Sequence, residues 1–506
     1  MFSKLGQYSL YPVLLPVFFV LHGCLENYGF ISPGEGLLLA IIYTAGALVL
    51  GGTGWMLFRN IPKAALFAFM LMAVYFFFGA IHDFLKEHAG SFFSSYVVLL
   101  SAFLILLIVV IVYLKKRNSP FKRLTAFLNL LFIVYILIGA GDLIAKTFRH
   151  SDYALSVYPF AKNNTARARY KQCPDCHKPD IYFLLMDGYA STVALAKWYQ
   201  YQNNLDSFLL RKKFSIQANS RSNYNFTPFS MASILNMSYL QGIANPKNVT
   251  VNEYANCEVL IRNNEVINRL SAAGYDIVNY SVFNLAGHPS VARQDFLPLN
   301  TRLITERTLF ACIRKDIGWK LAKWYPFKWF WSSDIMQDNR NNQSFIELVK
   351  TSAATKSAKP RFVYGHFFMP HSPYYYDKNG QLKDIATITT ESLSNPIPAY
   401  LEYVTYVNGR IREMITAIQQ QNPSAVIILM GDHGNRDVTS EAFPVRYFQN
   451  LNAVYYPDND YKLLYDSISG VNQFRVVLNK LLKQDLPLLP DSSIYLLDKG
   501  TAPHMK

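Results

Sequence analysis

The chain has 506 residues, 51% of them hydrophobic and 15% aromatic, with a formal net charge of +15 from 49 Lys and Arg against 34 Asp and Glu. Such a chain is too long for one average domain and too apolar to be disordered. Its positive charge is scattered, with no basic helix and no aromatic–basic alternation, so nucleic acid is not an expected partner.

The first 150 residues contain five long apolar runs, roughly Tyr8–Cys24, Gly36–Phe58, Ala64–Ile81, Ser94–Leu114 and Leu124–Ala145. Each is near the ~20 residues that cross a bilayer, and a cleaved leader would give one such run, not five. Residues 1–146 are therefore expected to be a transmembrane domain of five helices. Short cytoplasmic loops carry excess Lys and Arg. Arg59 and Lys63 lie between runs two and three, and Lys115, Lys116, Arg117, Lys122 and Arg123 between runs four and five. The other two loops hold Glu26 and Glu35, and Lys86 with Glu87. This pattern predicts a multi-pass protein of a bacterial-type inner or plasma membrane, N-terminus cytoplasmic and everything after about residue 146 outside. His22, Glu26, His82, Asp83 and Asp142 fall near span ends, where they are either solvated at the interface or line a head-group path.

Residues 147–178, charged and including Asn163 and Asn164, read as a linker. Cys24 ends the first run, while Cys173, Cys176, Cys257 and Cys312 lie in the outer part. An even number in an oxidising space suggests disulfides; one pairing is Cys173–Cys176 with Cys257–Cys312, out of three connectivities. A redox or metal-binding Cys-Pro-Asp-Cys would lack a second CxxC.

From 179 to 506 strand-like and helical patterns alternate. Strands are expected at Asp180–Met186, Phe214–Gln217, Tyr275–Tyr280, Arg361–Gly365 and Ala425–Met430. Helices are expected at Ser191–Phe208, Glu265–Ala273 and Ala399–Gln420. Alternation of this kind predicts an α/β domain with a largely parallel central sheet flanked by helices.

Two of these strands end alike: Asp180–Met186 runs into Asp187-Gly188, and Val426–Met430 into Gly431-Asp432-His433-Gly434. A continuous apolar run suits a strand buried on both faces, and ligand groups collect past the carboxyl ends of such strands. Carboxylate plus imidazole suits a divalent cation. Thr227-Pro228 reads as a helix start with Thr227 at the N-cap, which aims backbone N–H groups and the positive dipole end at whatever binds there. His366 and His371, in Tyr364-Gly365-His366-Phe367-Phe368-Met369-Pro370-His371-Ser372-Pro373, lie just past a strand, where they can donate to substrate oxygens, bind metal, or be solvated histidines of a rigid surface loop.

In this order, Asp187, Thr227, His371 in His-Ser-Pro-Tyr and Asp432-His433-Gly434 resemble the motifs of the alkaline phosphatase/sulfatase superfamily. The resemblance is to its membrane-embedded branch, which includes lipoteichoic acid synthase and lipid A phosphoethanolamine transferases, and the stretch Arg446–Pro457 is also similar. It implies Asp187, Thr227, Asp432 and His433 around one divalent metal ion (Zn, Mn or Mg), Thr227 as nucleophile, and His371 and His366 on the substrate side. It implies a phospholipid donor, a glycan or lipid acceptor, and transfer of a phosphoethanolamine- or phosphoglycerol-type head group through a phospho-threonine. A membrane-anchored hydrolase of phosphate or sulfate esters and an inactive envelope scaffold are the alternatives. The transferase branch commonly has Glu where this chain has Asp187. The Cys/Ser-x-Pro-x-Arg context of formylglycine sulfatases is absent, since Phe226 stands two before Pro228, and this disfavours sulfate-ester hydrolysis by the usual route.

Overall fold

The computed structural model describes residues 6–28, 30–117, 120–148, 170–294, 297–321, 335–394, 396–436 and 444–498. Asn163 and Asn164 lie outside the described residues. The chain forms two compact units, one of residues 1–153 with 293–334, the other of 154–292 with 335–506.

The first unit contains α1 (Tyr11–Glu26), α2 (Pro33–Phe58), α3 (Ile61–His88), α4 (Tyr96–Lys116) and α5 (Lys122–Phe148). The last four are long and apolar enough to cross a membrane. The first predicted span is shorter, 16 residues with Pro16 inside it, about 24 Å against the ~30 Å of a hydrocarbon core. Local chemistry sets the starts. Ser32 and Glu35 form a capping box, the Asn60 side chain accepts from Lys63 N–H, and Ser95 accepts from Val98 N–H, each satisfying donors the first turn leaves open. Tyr11, Leu15, Met72, Phe76, Leu128 and Phe132 pack as an apolar cluster. Residues 293–321 belong to this unit too: Ile304 packs with Val20, Ile31 and Leu39.

The second unit is built on six strands: β1 (Ile181–Met186), β2 (Ser215–Ile216), β3 (Asp276–Tyr280), β4 (Arg361–Phe367), β5 (Val426–Gly431) and β6 (Asn452–Tyr455). Their order is β2-β6-β5-β1-β4-β3. The run β5-β1-β4-β3 is parallel, β6 is antiparallel to β5, and β2 is antiparallel to β6. All residues of β1 and β5 are buried, as apolar runs in a sheet covered on both faces must be. Met186 lies opposite both Phe367 and Gly431. Three central strands thus end at one level, which puts Asp187, Phe368 and Asp432 on one rim. The helices that matter for the site are α6 (Thr227–Asn236), α7 (Val251–Arg262) and α8 (Pro396–Gln421).

Two expectations need correction. The helix predicted over Ser191–Phe208 is two, Thr192–Tyr199 and Leu205–Arg211, because Gln200 takes a left-handed C-cap with φ 54° and ends the first. Cys173 and Cys176 are bonded, but Cys257 and Cys312 are free thiols. Cys257 is packed in the α/β core, and Cys312 belongs to the helical unit.

Candidate active site

Asp187 continues β1 by one step, its N–H donating to the Phe367 carbonyl at 3.0 Å. Gly188 follows with φ +69°, a left-handed turn that glycine adopts without strain. The turn is held by Tyr400 of α8, whose hydroxyl accepts from Ala190 N–H at 3.1 Å and donates to the Gly188 carbonyl at 3.0 Å. Across the rim, Asp432 Oδ1 accepts from Gly188 N–H and from His433 N–H, both at 2.9 Å. Its other oxygen, Oδ2, is buried without a partner, as is Asp187 Oδ1. His433 Nδ1 lies 2.7 Å from the Gly434 carbonyl, which assigns the ring proton to Nδ1 and leaves Nε2 as a lone pair facing the carboxylates.

The flanking glycines have a steric reason. A Cβ at Gly431 would lie 2.6 Å from the Tyr189 carbonyl, and one at Gly434 would run into the carbonyls of Arg446 and Gln449. The strand carrying the acid–imidazole pair is therefore packed backbone to backbone on both sides.

Thr227 departs from its expected role as N-cap. The extended residue is Phe226 (φ −114°, ψ 135°), Thr227 is the first helical residue with Pro228 next, and no side chain caps the helix. The Thr227 hydroxyl instead faces the rim, 3.4 Å from Asp187 Oδ2 and 3.2 Å from His433 Nε2. His433 Nε2 is 3.8 Å from Asp187 Oδ1 and 3.3 Å from Asp432 Oδ2. Ligands held ~2 Å from one tetrahedral ion sit about 3.4 Å apart, so the two orphaned carboxylate oxygens and the imidazole nitrogen fit a divalent cation. Asp187, Asp432 and His433 are the one such trio among the described residues.

Protonation agrees with that donor set. Burial, the largest influence on Asp187, raises its pKa, yet His371, His366 and His433 together hold it below the usual carboxylate range. Burial pushes His433 below the ordinary imidazole value, against the opposing charge of Asp432. Both therefore favour the deprotonated, ligating form.

The two other predicted histidines occupy different places. His366 is buried on β4, its Nδ1 3.1 Å from the Tyr364 hydroxyl and its Nε2 3.5 Å from Asp187 Oδ2; it sits behind Asp187 within the sheet. His371 lies in the loop after β4, with Nδ1 2.6 Å from the Ser372 carbonyl and Nε2 3.3 Å from Arg436 Nη2. Arg436 in turn lies 5.0 Å over the Phe226 ring, beside Thr227. Sequence reasoning missed Arg436, although it stands three residues after His433 and is a permanent cation next to a site for anions. It also missed Ser230, which donates to the Asp432 carbonyl at 2.6 Å, and Asn450. Asn450 donates to the Gly431 carbonyl and accepts from Ser220 Oγ at 3.2 Å, so it ties the strand that leads into Asp432 and His433 to the loop that leads to Thr227. Short polar residues of this kind carry no signal until the fold brings them together.

The Sulfatase family model matches residues 268–467, a stretch that contains His366, His371, Asp432 and His433. Over that stretch the chain is similar to the Sulfatase family. Among solved structures, the C-terminal periplasmic domain of EcEptC from Escherichia coli, in complex with Zn, is 11% identical over 65% of this chain and 92% of that one, with a TM-score of 0.39. The C-terminal periplasmic domain of phosphoethanolamine transferase EptC from Campylobacter jejuni is 13% identical over 65% and 95%, with a TM-score of 0.36. BT1596, a 2-O GAG sulfatase, is 13% identical over 62% and 73%, with a TM-score of 0.39. No curated protein sequence matches the chain. Of the residues gathered on the rim, Asp432 and His433 lie within the matched stretch, whereas Asp187 and Thr227 precede residue 268 and are brought to it by the fold.

Proposed function

We propose that the protein is a metal-dependent envelope transferase that moves a phospho-substituted head group, of phosphoethanolamine or phosphoglycerol type, from a lipid donor to a glycan or lipid acceptor. The observation that carries this reading is the Thr227 hydroxyl within 3.4 Å of both Asp187 and His433. Asp187, Asp432 and His433 would hold the ion, with Thr227 beside them; its identity is Zn, Mn or Mg. Such an ion, when bound, lowers the pKa of a neighbouring hydroxyl and offsets phosphoryl charge.

The chain's own groups supply the rest. Thr227 Oγ forms the bond to phosphorus as the lipid oxygen leaves; the proton lost from Thr227 goes to solvent, and the departing diacylglycerol oxygen takes up one proton from solvent, while the facing Asp187 carboxylate orients the hydroxyl. In the second half the acceptor hydroxyl attacks the phospho-threonine and Thr227 recovers a proton, a two-step covalent route. The N–H groups at the start of α6 and the Arg436 guanidinium face developing phosphoryl charge, and His371 is assigned to the substrate side, whereas His366, expected there too, is buried behind Asp187 and positions that carboxylate. A complete ligand set with two unpartnered buried oxygens argues against a scaffold. A hydrolase differs from this scheme only in water replacing the acceptor.

The membrane reading places a transmembrane domain at 1–146, a linker at 147–178 and the catalytic domain at 179–506, outside the cell, with the N-terminus inside. Contacts within the helical unit support it. Residues 293–321 touch Gly23, Glu35, Gly79 and Tyr96, all near the two loops poor in Lys and Arg and at the opposite helix ends from the basic loops.

The test incubates purified protein with labelled phospholipids and divalent metals, comparing it with Thr227→Ala. Mass added to Thr227 with release of diacylglycerol is expected. Metal binding without adduct or turnover across donors would overturn the reading.

A further inference from the structure

Outside the α/β site, one cluster of charged side chains has no role in the chemistry above. It lies where residues 293–321 meet α3 and α4 within the helical unit. Gly79 N–H donates to the Arg307 carbonyl at 2.9 Å, and a Cβ at Gly79 would lie 2.5 Å from that oxygen, so α3 and the segment meet backbone to backbone. One turn further on, Asp83 Oδ2 faces Arg307 Nη2 at 3.9 Å, with side chains 56% and 70% exposed. The other Asp83 oxygen faces His82 Nδ1 at 3.5 Å. Tyr96, which opens α4, donates to the Cys312 carbonyl at 3.2 Å and to the Asp316 carboxylate, and its ring lies 5.1 Å from His82.

Three features suit this cluster to a ligand. The separation of 3.9 Å is beyond hydrogen-bonding range, so the donors of Arg307 and the acceptors of Asp83 are uncommitted to each other. The charges are of both signs, a guanidinium beside two carboxylates and an aromatic ring, which complements a phosphate joined to an ammonium. The depth is right as well. Asp83 stands 22 residues after the start of α3 at Ile61, about 33 Å along a helix, close to the ~30 Å thickness of a hydrocarbon core.

We propose that Arg307, Asp83, Asp316 and Tyr96 form a docking site for the head group of a zwitterionic phospholipid, Arg307 taking the phosphate and the carboxylates the ammonium. As a waiting place for the donor it rests on the transferase reading above, and it selects an amino head group over a glycerol one.

The test uses the full chain carrying Thr227→Ala, so that no turnover intervenes, in nanodiscs of equal parts phosphatidylethanolamine and phosphatidylglycerol. Lipid retained after transfer to detergent is counted by mass spectrometry. Retention of the amino lipid over the glycerol lipid by about fivefold or more is expected. Arg307→Gln and Asp83→Asn should each bring that ratio towards one, with Arg307→Lys between. Equal retention of the two lipids by the unsubstituted cluster, or an unchanged ratio in both variants, overturns the proposal. So does binding of soluble phosphoethanolamine without any selective lipid retention. If Arg307→Gln does not fold, the Asp83→Asn and Arg307→Lys ratios decide. Because the readout is retained lipid, a failed phospho-threonine test leaves this result standing, and the reverse also holds.

Discussion

The helical unit and the α/β unit are both made from apolar runs, and they use them in opposite ways. In β1 and β5 every residue is buried, whereas in the 21-residue α4 only Leu99 and Leu114 are. Six apolar residues ending in a turn are a strand enclosed by protein. Twenty or more are a helix whose side chains, such as Ile105 at 61% exposure, need lipid rather than protein around them. Run length, not composition, separates the two solvents. A second contrast follows: polar groups in the α/β unit converge at strand ends, while those of the helical unit sit at helix ends.

The largest expected effect tests the convergence. Thr227→Ala should lower transfer by about a thousandfold or more while the divalent metal is retained, as measured by product formation and by metal content after gel filtration. Loss of metal together with activity would instead make Thr227 a ligand first. Asp432→Asn and His433→Ala should weaken zinc binding by about a hundredfold or more, read by competition with a chelator. For the unsubstituted protein, metal retention should hold at neutral pH and fall only below the ordinary imidazole range of ~6.5. Burial holds His433 in its neutral form, so protons displace the ion as the pH drops, not as it rises.

Substitutions of equal chemistry sharpen the contrast of solvents. Ile428→Ala, fully buried in β5, should destabilise the α/β unit by about 2–5 kcal/mol, whereas Ile105→Ala should cost under ~1 kcal/mol in detergent. Chemical denaturation followed separately in each unit would show it. Gly434→Ala should cost about 1–3 kcal/mol, since its Cβ would press on the Arg446 carbonyl.

The smallest effect concerns Glu258 on α7. It is partly buried, and burial alone pushes its carboxyl up to about 7. A raised carboxyl pKa destabilises the folded state as the pH climbs from ~4.3, the unfolded value, through about 7. Glu258→Gln should therefore raise stability at pH 8 by about 1 kcal/mol given its partial exposure and leave it unchanged near pH 4, as read from the thermal midpoint at each pH. A gain equal at both pH values would refute the cause.

Much of the fold was legible because it is written in local patterns. Strands β1 and β5 are apolar runs closed by glycine, and α8 has a long helical period. Asp187, Asp432 and His433 were legible for the same reason, being attached to the ends of those strands. What was not legible depends on chain geometry. Whether Thr227 or Phe226 is the extended residue is settled by a single pair of torsions, and the break at Gln200 by one left-handed residue. Arg436, Ser230, Asn450 and Tyr400 act through contacts from distant stretches, and no spacing announces those. Cys257 and Cys312 look like a pair by number, but nothing in the sequence says that they belong to different units.

Residues 293–321 have a practical consequence. A truncated chain starting at Tyr170 would keep this stretch while losing α1–α5, the helices it packs against. Ile304, at 5% exposure in the whole protein, would lose its neighbours Val20, Ile31 and Leu39, and the fragment would tend to self-associate through that bared patch. Replacing 293–334 by a short hydrophilic bridge, rather than moving the starting residue, is the way to a soluble and crystallisable catalytic fragment.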